Sequence, residues 1–365
     1  MRARVVLTTG GTGGHIFPAL AVAEQLRQEG AELLFIGSRF GPEADLAERA
    51  GIPFEGLSVR GVLGRGFASF GAAVGLLAAV APARRVLARF RPDVVAGFGA
   101  YASVAPLLAA RLLGIPAVLH EQNAVPGLAN RLFGKTAARI FLSLPAAERA
   151  FPHDRCVVTG NPVRQAIAAA CAPRSVEGGS QHLLVMGGSQ GARAINSVVL
   201  ANLTRLRGAG VEIWHQSGAR DFERVRAGYS AHGFDVSKVT PFIDDMAAAY
   251  AWADLALCRA GATSVAELAA AGKAAVLIPF PHATHDHQTH NAEALVQAGA
   301  ACLVPENEIG MRDVGGLMLE LLADGARLQN MSRAARTVAR PEAAAAVARG
   351  ILDLAAARHG EKSGI

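Results

Sequence analysis

The chain of 365 residues has little cysteine, few aromatic residues and little charge. Its cysteines, Cys156, Cys171, Cys258 and Cys302, lie far apart without a CxxC pair, so the sequence indicates neither zinc nor a disulfide framework. Aromatic residues make up 5% and are scattered, which argues against a base-stacking nucleic-acid surface. With 18% charged and 51% hydrophobic residues, the chain can form large cores, and its length fits two domains.

Uninterrupted apolar runs are also lacking. Residues 66–83 and 94–110 reach spanning length, but glycines and a proline interrupt both, so we expect buried core there. The N-terminus enters a strand-like run directly, and we expect no signal peptide. The net charge of +6 suits anionic ligands or an anionic membrane better than it indicates nucleic acid.

A glycine-rich stretch, Thr8–Pro18, is the strongest local signal. Arg4–Leu7 precedes it as a predicted strand, and Ala19–Leu26 follows with helical spacing, which places Pro18 in the first helical turn. Glycines let the backbone approach a ligand, and the N–H groups at a helix start bind anions. By itself this loop fits phosphate binding and simple packing equally well; His15 adds a titratable donor there.

A second unit repeats this arrangement. The strand-like run Leu183–Met186 leads into Gly187–Arg193 and a helical pattern through Leu206. Two such units predict two α/β domains with parallel sheets that face each other across a cleft. Gly160–Arg164 breaks the pattern and is the predicted hinge, so we expect domains over 1–161 and 162–340.

Apolar runs and turn signals predict the remaining elements. We expect helices at 43–50, 70–90 and 103–113, and strands at 32–36, 54–59, 93–97, 117–119, 139–142, 156–159, 211–215, 255–258 and 275–278.

Two polar motifs follow predicted strands. His120–Asn123 is either a ligand site or a local turn network, and the pattern leaves both open. Arg259–Glu267 opens a helix, where Glu267, one turn in, either accepts two sugar hydroxyls or forms a capping box with Thr263 or Ser264. Asp245 is a predicted helix cap.

Two further segments also allow two interpretations. Pro281–Asn291 contains four histidines, but their spacing matches no common metal motif, so a metal site is disfavoured. The helix predicted at 70–90 is apolar with arginines near its end; the pattern favours a core helix over one that enters a bilayer surface.

Taken together, the motifs resemble one family. Gly10–His15, His120–Asn123, Gly160–Arg164, Gly187–Ala192 and Asp286–Gln288 occur in this order. They are similar to the MurG family within glycosyltransferase family 28, whose members transfer N-acetylglucosamine from UDP-GlcNAc to the undecaprenyl-linked muramyl pentapeptide lipid I. The resemblance implies the GT-B fold of two Rossmann-like domains, a C-terminal helix at 341–365 that crosses back to the first domain, and inversion without a cofactor or an obligatory metal.

The resemblance also implies a donor site. Glu267 would hold the ribose hydroxyls, Ile243 would meet the uracil through its backbone, and Arg164 would lie near the nucleotide. Gln288 and His287 would bind the GlcNAc hydroxyls. The rest of the implied donor site surrounds the diphosphate or reaches the sugar, and comprises Ser189, Ala262, Thr263, Ser264, Val265 and Ala266 with Thr12, Gly13, Gly14 and Asn123.

For the acceptor, the resemblance places Tyr101 and Asn130 at its diphosphate. His15 is the candidate general base, or alternatively an electrostatic donor. In the family, the corresponding apolar helix is the proposed membrane contact. The resemblance therefore favours a helix at 70–91 that enters a bilayer surface over a core helix. The implied partners are UDP-GlcNAc, lipid I, an anionic membrane at the cytoplasmic face of the bacterial inner membrane, and cell-wall and division machinery; nucleic acid is not among them.

Three alternative functions would require different features. A nicotinamide-dependent oxidoreductase needs an acidic residue after the second strand, which ends Phe35-Ile36-Gly37-Ser38 without one. A related GT-B epimerase or lipid glycosyltransferase differs in its acceptor. A non-catalytic cell-wall scaffold does not need Glu267 and Gln288 in one nucleotide pocket.

Overall fold

The computed structural model describes residues 2–60, 75–169, 181–188, 191–283 and 286–363. The chain divides into two compact units, one formed by 1–164 with 341–365 and the other by 165–340. The division falls after Arg164 rather than after Asn161. Each unit contains one parallel sheet between helices, which confirms the α/β class with two Rossmann-like domains.

The first unit contains a seven-stranded sheet in the order β3-β2-β1-β4-β5-β6-β7. Its strands are β1 (Arg4–Thr8), β2 (Glu32–Ser38), β3 (Phe54–Leu57), β4 (Val94–Gly97), β5 (Ala117–Glu121), β6 (Arg139–Leu142) and β7 (Cys156–Val158). Its helices are α1 (Gly13–Gln28), α2 (Glu43–Arg49), α3 (Val80–Phe90), α4 (Val104–Leu112) and α5 (Leu128–Phe133), with a 3₁₀ turn at Tyr101–Ser103.

Strand β1 shows why this sheet is covered on both faces. Val5 and Leu7 belong to the core beneath α1, whereas Val6 belongs to the opposite core beneath α3 and α4. All three are fully buried. Because consecutive side chains of a strand point to opposite faces, an unbroken apolar run requires helices on both sides.

The second unit contains a six-stranded parallel sheet in the order β10-β9-β8-β11-β12-β13. Its strands are β8 (Gln181–Met186), β9 (Val211–Gln216), β10 (Val239–Thr240), β11 (Leu255–Cys258), β12 (Ala274–Leu277) and β13 (Ala301–Leu303). Its helices are α6 (Gln165–Ala169), α7 (Arg193–Gly208), α8 (Phe222–Ala231), α9 (Met246–Trp252), α10 (Ala262–Ala271), α11 (His287–Gln297), α12 (Val314–Ala323) and α13 (Gly325–Val338).

The last helix, α14 (Ala343–Ser363), packs on the first unit. Ile351, fully buried, joins the α1 core with Val347 and Ala355. His359 and Asp93 pair at 2.8 Å. Gly350 lies in the middle of the helix because a Cβ there would come within 2.6 Å of the Phe141 ring.

Most element bounds agree with the predicted ones within a few residues, and two differences affect the site. Helix α1 begins at Gly13, so the prediction that Pro18 lies in the first turn is wrong: Pro18 is inside the helix. Strand β5 continues through Glu121, which makes His120 and Glu121 part of the sheet edge. The predicted helix at 70–90 is described only from residue 75, and its earlier part lies outside the described residues.

Within the described ranges, every helix is too short or too polar to cross a membrane.

Substitution of Ile351 by Ala should destabilise the first unit by about 2–5 kcal/mol, because it leaves a cavity under α14. Both tryptophans, Trp214 and Trp252, lie in the second unit. Denaturation followed by circular dichroism should therefore show a lowered transition, while tryptophan fluorescence should report an unchanged one. The exposed Asp353→Ala is the control; a larger shift in fluorescence than in dichroism would contradict the assignment of α14.

Candidate functional site

The candidate site of the first unit lies where β1, β4 and β5 end. These strands are neighbours and run parallel, so the segments that follow them meet at one edge of the sheet. Phe98 N–H donates to Thr8 O at 2.9 Å, and the Thr9 hydroxyl donates to Gly99 O at 3.3 Å. The loops after β1 and β4 are therefore bonded directly to each other.

The glycine-rich loop forms the first turn of α1. Thr12 is the N-cap in extended conformation, and its carbonyl accepts from His15 N–H at 3.1 Å. Gly11 has φ +88°, a conformation that strains other residues. Gly11 N–H donates to a carboxylate oxygen of Glu43, which is fully buried, at 3.0 Å. The loop thus holds Gly13, Gly14 and His15 at a helix N-terminus, as anion binding requires.

His15 is bonded to the segment after β5. Its Nδ1 lies 2.7 Å from Oε1 of Gln122. The Gln122 amide nitrogen lies 3.1 Å from Phe98 O, 3.2 Å from His120 O and 3.0 Å from His120 Nδ1. Because three acceptors surround this nitrogen, the orientation of the amide is fixed and its oxygen must face His15.

This orientation determines the tautomers of both histidines. The Gln122 oxygen can only accept, so Nδ1 of His15 carries a proton, and the lone pair of the neutral ring is on Nε2. His120 donates from Nε2 to Gly160 O at 3.3 Å and accepts at Nδ1. Burial lowers the pKa of His120 to about 4, so its ring is neutral near pH 7. The chain of hydrogen bonds therefore fixes the tautomer of a neutral His15 ring, with its lone pair on Nε2.

Glu121 organises the neighbouring turn. One carboxylate oxygen accepts from Asn123 N–H at 2.9 Å and from its side-chain amide at 3.2 Å. The other accepts from Gly127 N–H at 3.1 Å and from the Asn130 amide at 2.9 Å. The His120–Asn123 motif is thus a turn network, and the same network also fixes the candidate ligand residues Asn123 and Asn130.

Asn130 is a buried residue of the same hydrogen-bond network. It is 1% exposed, its amide nitrogen donates to Glu121 and to His120 O, and no described residue bonds its Oδ1. Asn130 Nδ2 and His15 Nδ1 each lie 3.4 Å from the position that a Cβ of Gly99 would take. Gly99 has φ +84°, so the backbone conformation favours glycine there, while a Cβ would make ordinary contacts. Tyr101 lies in the following 3₁₀ turn, half-buried.

Arg164, predicted near the nucleotide, belongs to the first unit. Its guanidinium stacks 4.4 Å above the ring of Phe17 in α1. Such a cation–π contact holds the planar group beside the first turns of α1, which follow the glycine-rich loop.

In the second unit, α10 carries the main candidate residues. Its N-cap is Gly261, so Ala262, Thr263 and Ser264 form the first turn and their amides point toward the helix start. Thr263 and Ser264 are both inside the helix, so neither forms the predicted capping box with Glu267. Glu267 is in the second turn, deeper than predicted, and is 6% exposed. Its Oε2 accepts from the Tyr250 hydroxyl at 3.1 Å.

The remaining donor candidates lie in other segments of this unit. Ile243 is buried before α9, whose cap Asp245 accepts from Ala248 N–H at 2.9 Å, as predicted. Gln288, in the first turn of α11, accepts from Phe280 N–H at 2.9 Å through Oε1. Val265 and Ala266 continue α10, and His287 begins α11. Ser189 lies outside the described residues.

The histidine-rich loop shows no metal-binding group within the part of the chain that the structure describes. His285, one of its four histidines, is outside that part.

Three residues of the first site were not singled out from the sequence. Glu121 and Gln122 stand in the His120–Asn123 motif, so the motif itself was the available signal. Glu43 gave no signal, because only the packing of α2 against the loop brings its carboxylate to Gly11.

The family models "Glycosyltransferase family 28 N-terminal domain" and "Glycosyltransferase family 28 C-terminal domain" match residues 5–142 and 182–347. A protein of Nitratidesulfovibrio vulgaris is 58% identical over 96% of this chain and 97% of its own, and is named UDP-N-acetylglucosamine--N-acetylmuramyl-(pentapeptide) pyrophosphoryl-undecaprenol N-acetylglucosamine transferase.

Two solved structures are similar over nearly the whole chain. Acinetobacter baumannii MurG has a TM-score of 0.73 and 36% identity, covering 96% of this chain and 99% of that one. A UDP-N-acetylglucosamine 2-epimerase has a TM-score of 0.66 with 16% identity and 95% coverage of each chain, a likeness of fold alone.

We expect the His120 ring to stay neutral, with its proton on Nε2, until the pH falls to about 4. Since burial lowers its folded-state pKa below the unfolded value, the unfolded chain binds more protons between about pH 6.5 and 4, and the first unit loses stability as pH falls through this window. Imidazole ¹⁵N NMR, assigned with His120→Asn, measures both tautomer and midpoint. A midpoint near 6.5 would refute the buried hydrogen-bond chain.

Proposed function

The chain belongs to glycosyltransferase family 28, among its UDP-GlcNAc-dependent transferases of peptidoglycan synthesis, and from this membership we infer that it moves N-acetylglucosamine from UDP-GlcNAc to the C4 hydroxyl of the muramyl residue in lipid I, forming lipid II. The hydroxyl oxygen attacks the anomeric carbon, the bond from that carbon to the phosphate oxygen breaks, and UDP leaves. The attacking hydroxyl loses a proton, and the anomeric configuration inverts.

His15 is the base in this proposal, and the bond from its Nδ1 to Gln122 is the observation that supports it. The bond leaves the Nε2 lone pair free to take the proton of the attacking hydroxyl. Asn130, which is bonded to His120 and Glu121 in the same network, and Tyr101 would receive the acceptor. The amides of Gly13 and Gly14 suit the acceptor diphosphate or the sugar.

The donor would bind the second unit. Glu267 is a buried carboxylate that accepts from the Tyr250 hydroxyl, and a carboxylate can accept further hydroxyl donors. The ribose hydroxyls are donors of this type. The amides at the start of α10 and the guanidinium of Arg164 would stabilise the charge that develops on departing UDP. Ile243 and Gln288 would hold the uracil and the sugar.

An anionic membrane at the cytoplasmic face of the inner membrane is the proposed location of the acceptor. Helix α3 exposes Arg84 and Arg85, and Leu77 just before it is 66% exposed. Each cation near an anionic leaflet contributes roughly 1 kcal/mol to binding. Contacts with cell-wall and division machinery stay a prediction from the family resemblance.

Replacement of His15 by Ala should lower kcat about 10²–10⁴-fold, the usual contribution of a general base, while UDP-GlcNAc binding stays unchanged. Added imidazole should restore part of the rate in this variant. Turnover of lipid I with radiolabelled UDP-GlcNAc and calorimetric titration of the nucleotide give the two measurements.

Gln122→Leu is the matched variant for the hydrogen bond. It keeps His15 but removes the acceptor at Nδ1, so kcat should fall about tenfold, the value of one lost hydrogen bond of about 1–1.5 kcal/mol. Near-normal turnover of His15→Ala would exclude the base role. The absence of UDP-GlcNAc binding in the wild type would instead favour a non-catalytic scaffold.

Replacement of Glu267 by Ala should weaken UDP-GlcNAc binding by about two orders of magnitude, because hydrogen bonds to a carboxylate are worth about 1.5–3 kcal/mol each. It should also abolish the preference for UDP over 2′-deoxy-UDP. Tyr250→Phe removes only the protein hydroxyl and should retain this preference. A Glu267→Ala variant that still discriminates the two nucleotides would show that Glu267 does not contact the ribose.

A further inference from the structure

Helix α5 exposes two leucines to solvent. Leu128 is 72% exposed and Leu132 is 63% exposed, whereas Asn130 and Phe133 on the other face are buried. Residues four apart in a helix lie on the same side, so the two leucines form one apolar stripe. Large apolar side chains that are grouped on a surface commonly mark a binding site.

The stripe leads toward a cavity. After α5 the chain keeps a helical turn, since Thr136 and Ala137 N–H both donate to Phe133 O at 2.9 Å, so Thr136 continues the line of Leu128 and Leu132. Thr136 is on the wall of a cavity of about 400 Å³, which is lined by apolar side chains such as Leu107, Ile115, Phe133 and Leu354 and also by Arg111 and Arg358. We name Leu128, Leu132 and Thr136 the α5 track; at 1.5 Å per residue it is roughly 12 Å long.

The other end of the track begins at the candidate acceptor site. Gly127 N–H, directly before Leu128, donates to the same Glu121 oxygen as the amide of Asn130. One short helix therefore carries a buried polar residue of the candidate acceptor site on one face and exposed leucines on the other.

Charge along the helix indicates the kind of ligand. Arg131 and Lys135 are exposed beside the leucines. Cations suit a phosphate-bearing head group, and the leucines with the apolar side chains of the cavity suit hydrocarbon. An amphiphile with an anionic head group near Asn130 and a flexible apolar chain matches this arrangement of charged and apolar side chains.

We propose that the α5 track and its cavity bind the first part of the hydrocarbon chain of the lipid-linked acceptor, with the diphosphate near Asn130. This inference rests on the proposed function, which supplies an acceptor of that chemistry. A concave site between α4, α5 and α14 fits one inserted chain, whereas the flat surface of a bilayer would cover only the outer leucines.

The test compares acceptors that carry the same diphosphate and muramyl pentapeptide but differ in lipid: a single isoprene unit or several. Assays are run without vesicles and below the critical micelle concentration. Leu128→Gln/Leu132→Gln should raise KM about tenfold for the long-chain acceptor and leave KM for the short-chain acceptor and for UDP-GlcNAc unchanged. Both leucines are exposed, so the variant should fold; Met311→Gln, 79% exposed in the second unit, is the control.

A second variant tests the cavity. Ala138→Trp, at an exposed position of its wall, should narrow the cavity, so that lengthening the lipid no longer lowers KM. An equal KM change for both acceptors would overturn the proposal, since α5 would then act through Asn130. A loss of vesicle binding with unchanged KM values would overturn it in favour of contact with the bilayer. Failure of the wild type to glycosylate either acceptor would refute the proposed function itself.

Discussion

The hydrogen bond between His15 and Gln122 is the interaction on which the first site depends. It joins residues 107 positions apart in the chain. It forms because β1, β4 and β5 are neighbours in the sheet, so that the start of α1 and the end of β5 meet at one edge. Through His120 it continues to Gly160, and an imidazole that alone could adopt either tautomer is held in the one with its lone pair on Nε2.

Buried carboxylates support this arrangement from both sides. Glu43 holds the glycine-rich loop through Gly11 N–H, and Glu121 holds the turn that carries Asn123 and Asn130. Each of them bonds backbone or amide N–H groups, which are strong partners for a carboxylate in a site with little water. The candidate ligand residues of the first unit are therefore fixed by hydrogen bonds to buried carboxylates. In the second unit, Glu267 on α10 is held by its hydrogen bond to Tyr250.

The sheet edge also explains how a polar reaction site and an apolar surface can share one short helix. The β5–α5 connection is bonded to Glu121, so α5 must turn Asn130 inward, and its helical period then turns Leu128 and Leu132 outward. The proposed contact with the hydrocarbon chain of the acceptor would give these leucines a partner.

The sequence by itself determined the features that depend on neighbouring residues: the apolar runs of β1, β8 and β11, the glycine-rich loops, the Asp245 cap and the family motifs. The start of α1 at Gly13, which leaves Pro18 inside the helix, was missed because a run of glycines gives no helical period. The bonds of Gln122 to His15, of Glu43 to Gly11 and of Tyr250 to Glu267 were decided by the tertiary structure alone. Their partners come from separate segments, and only the order of the strands and the packing of the helices bring such segments within hydrogen-bond distance.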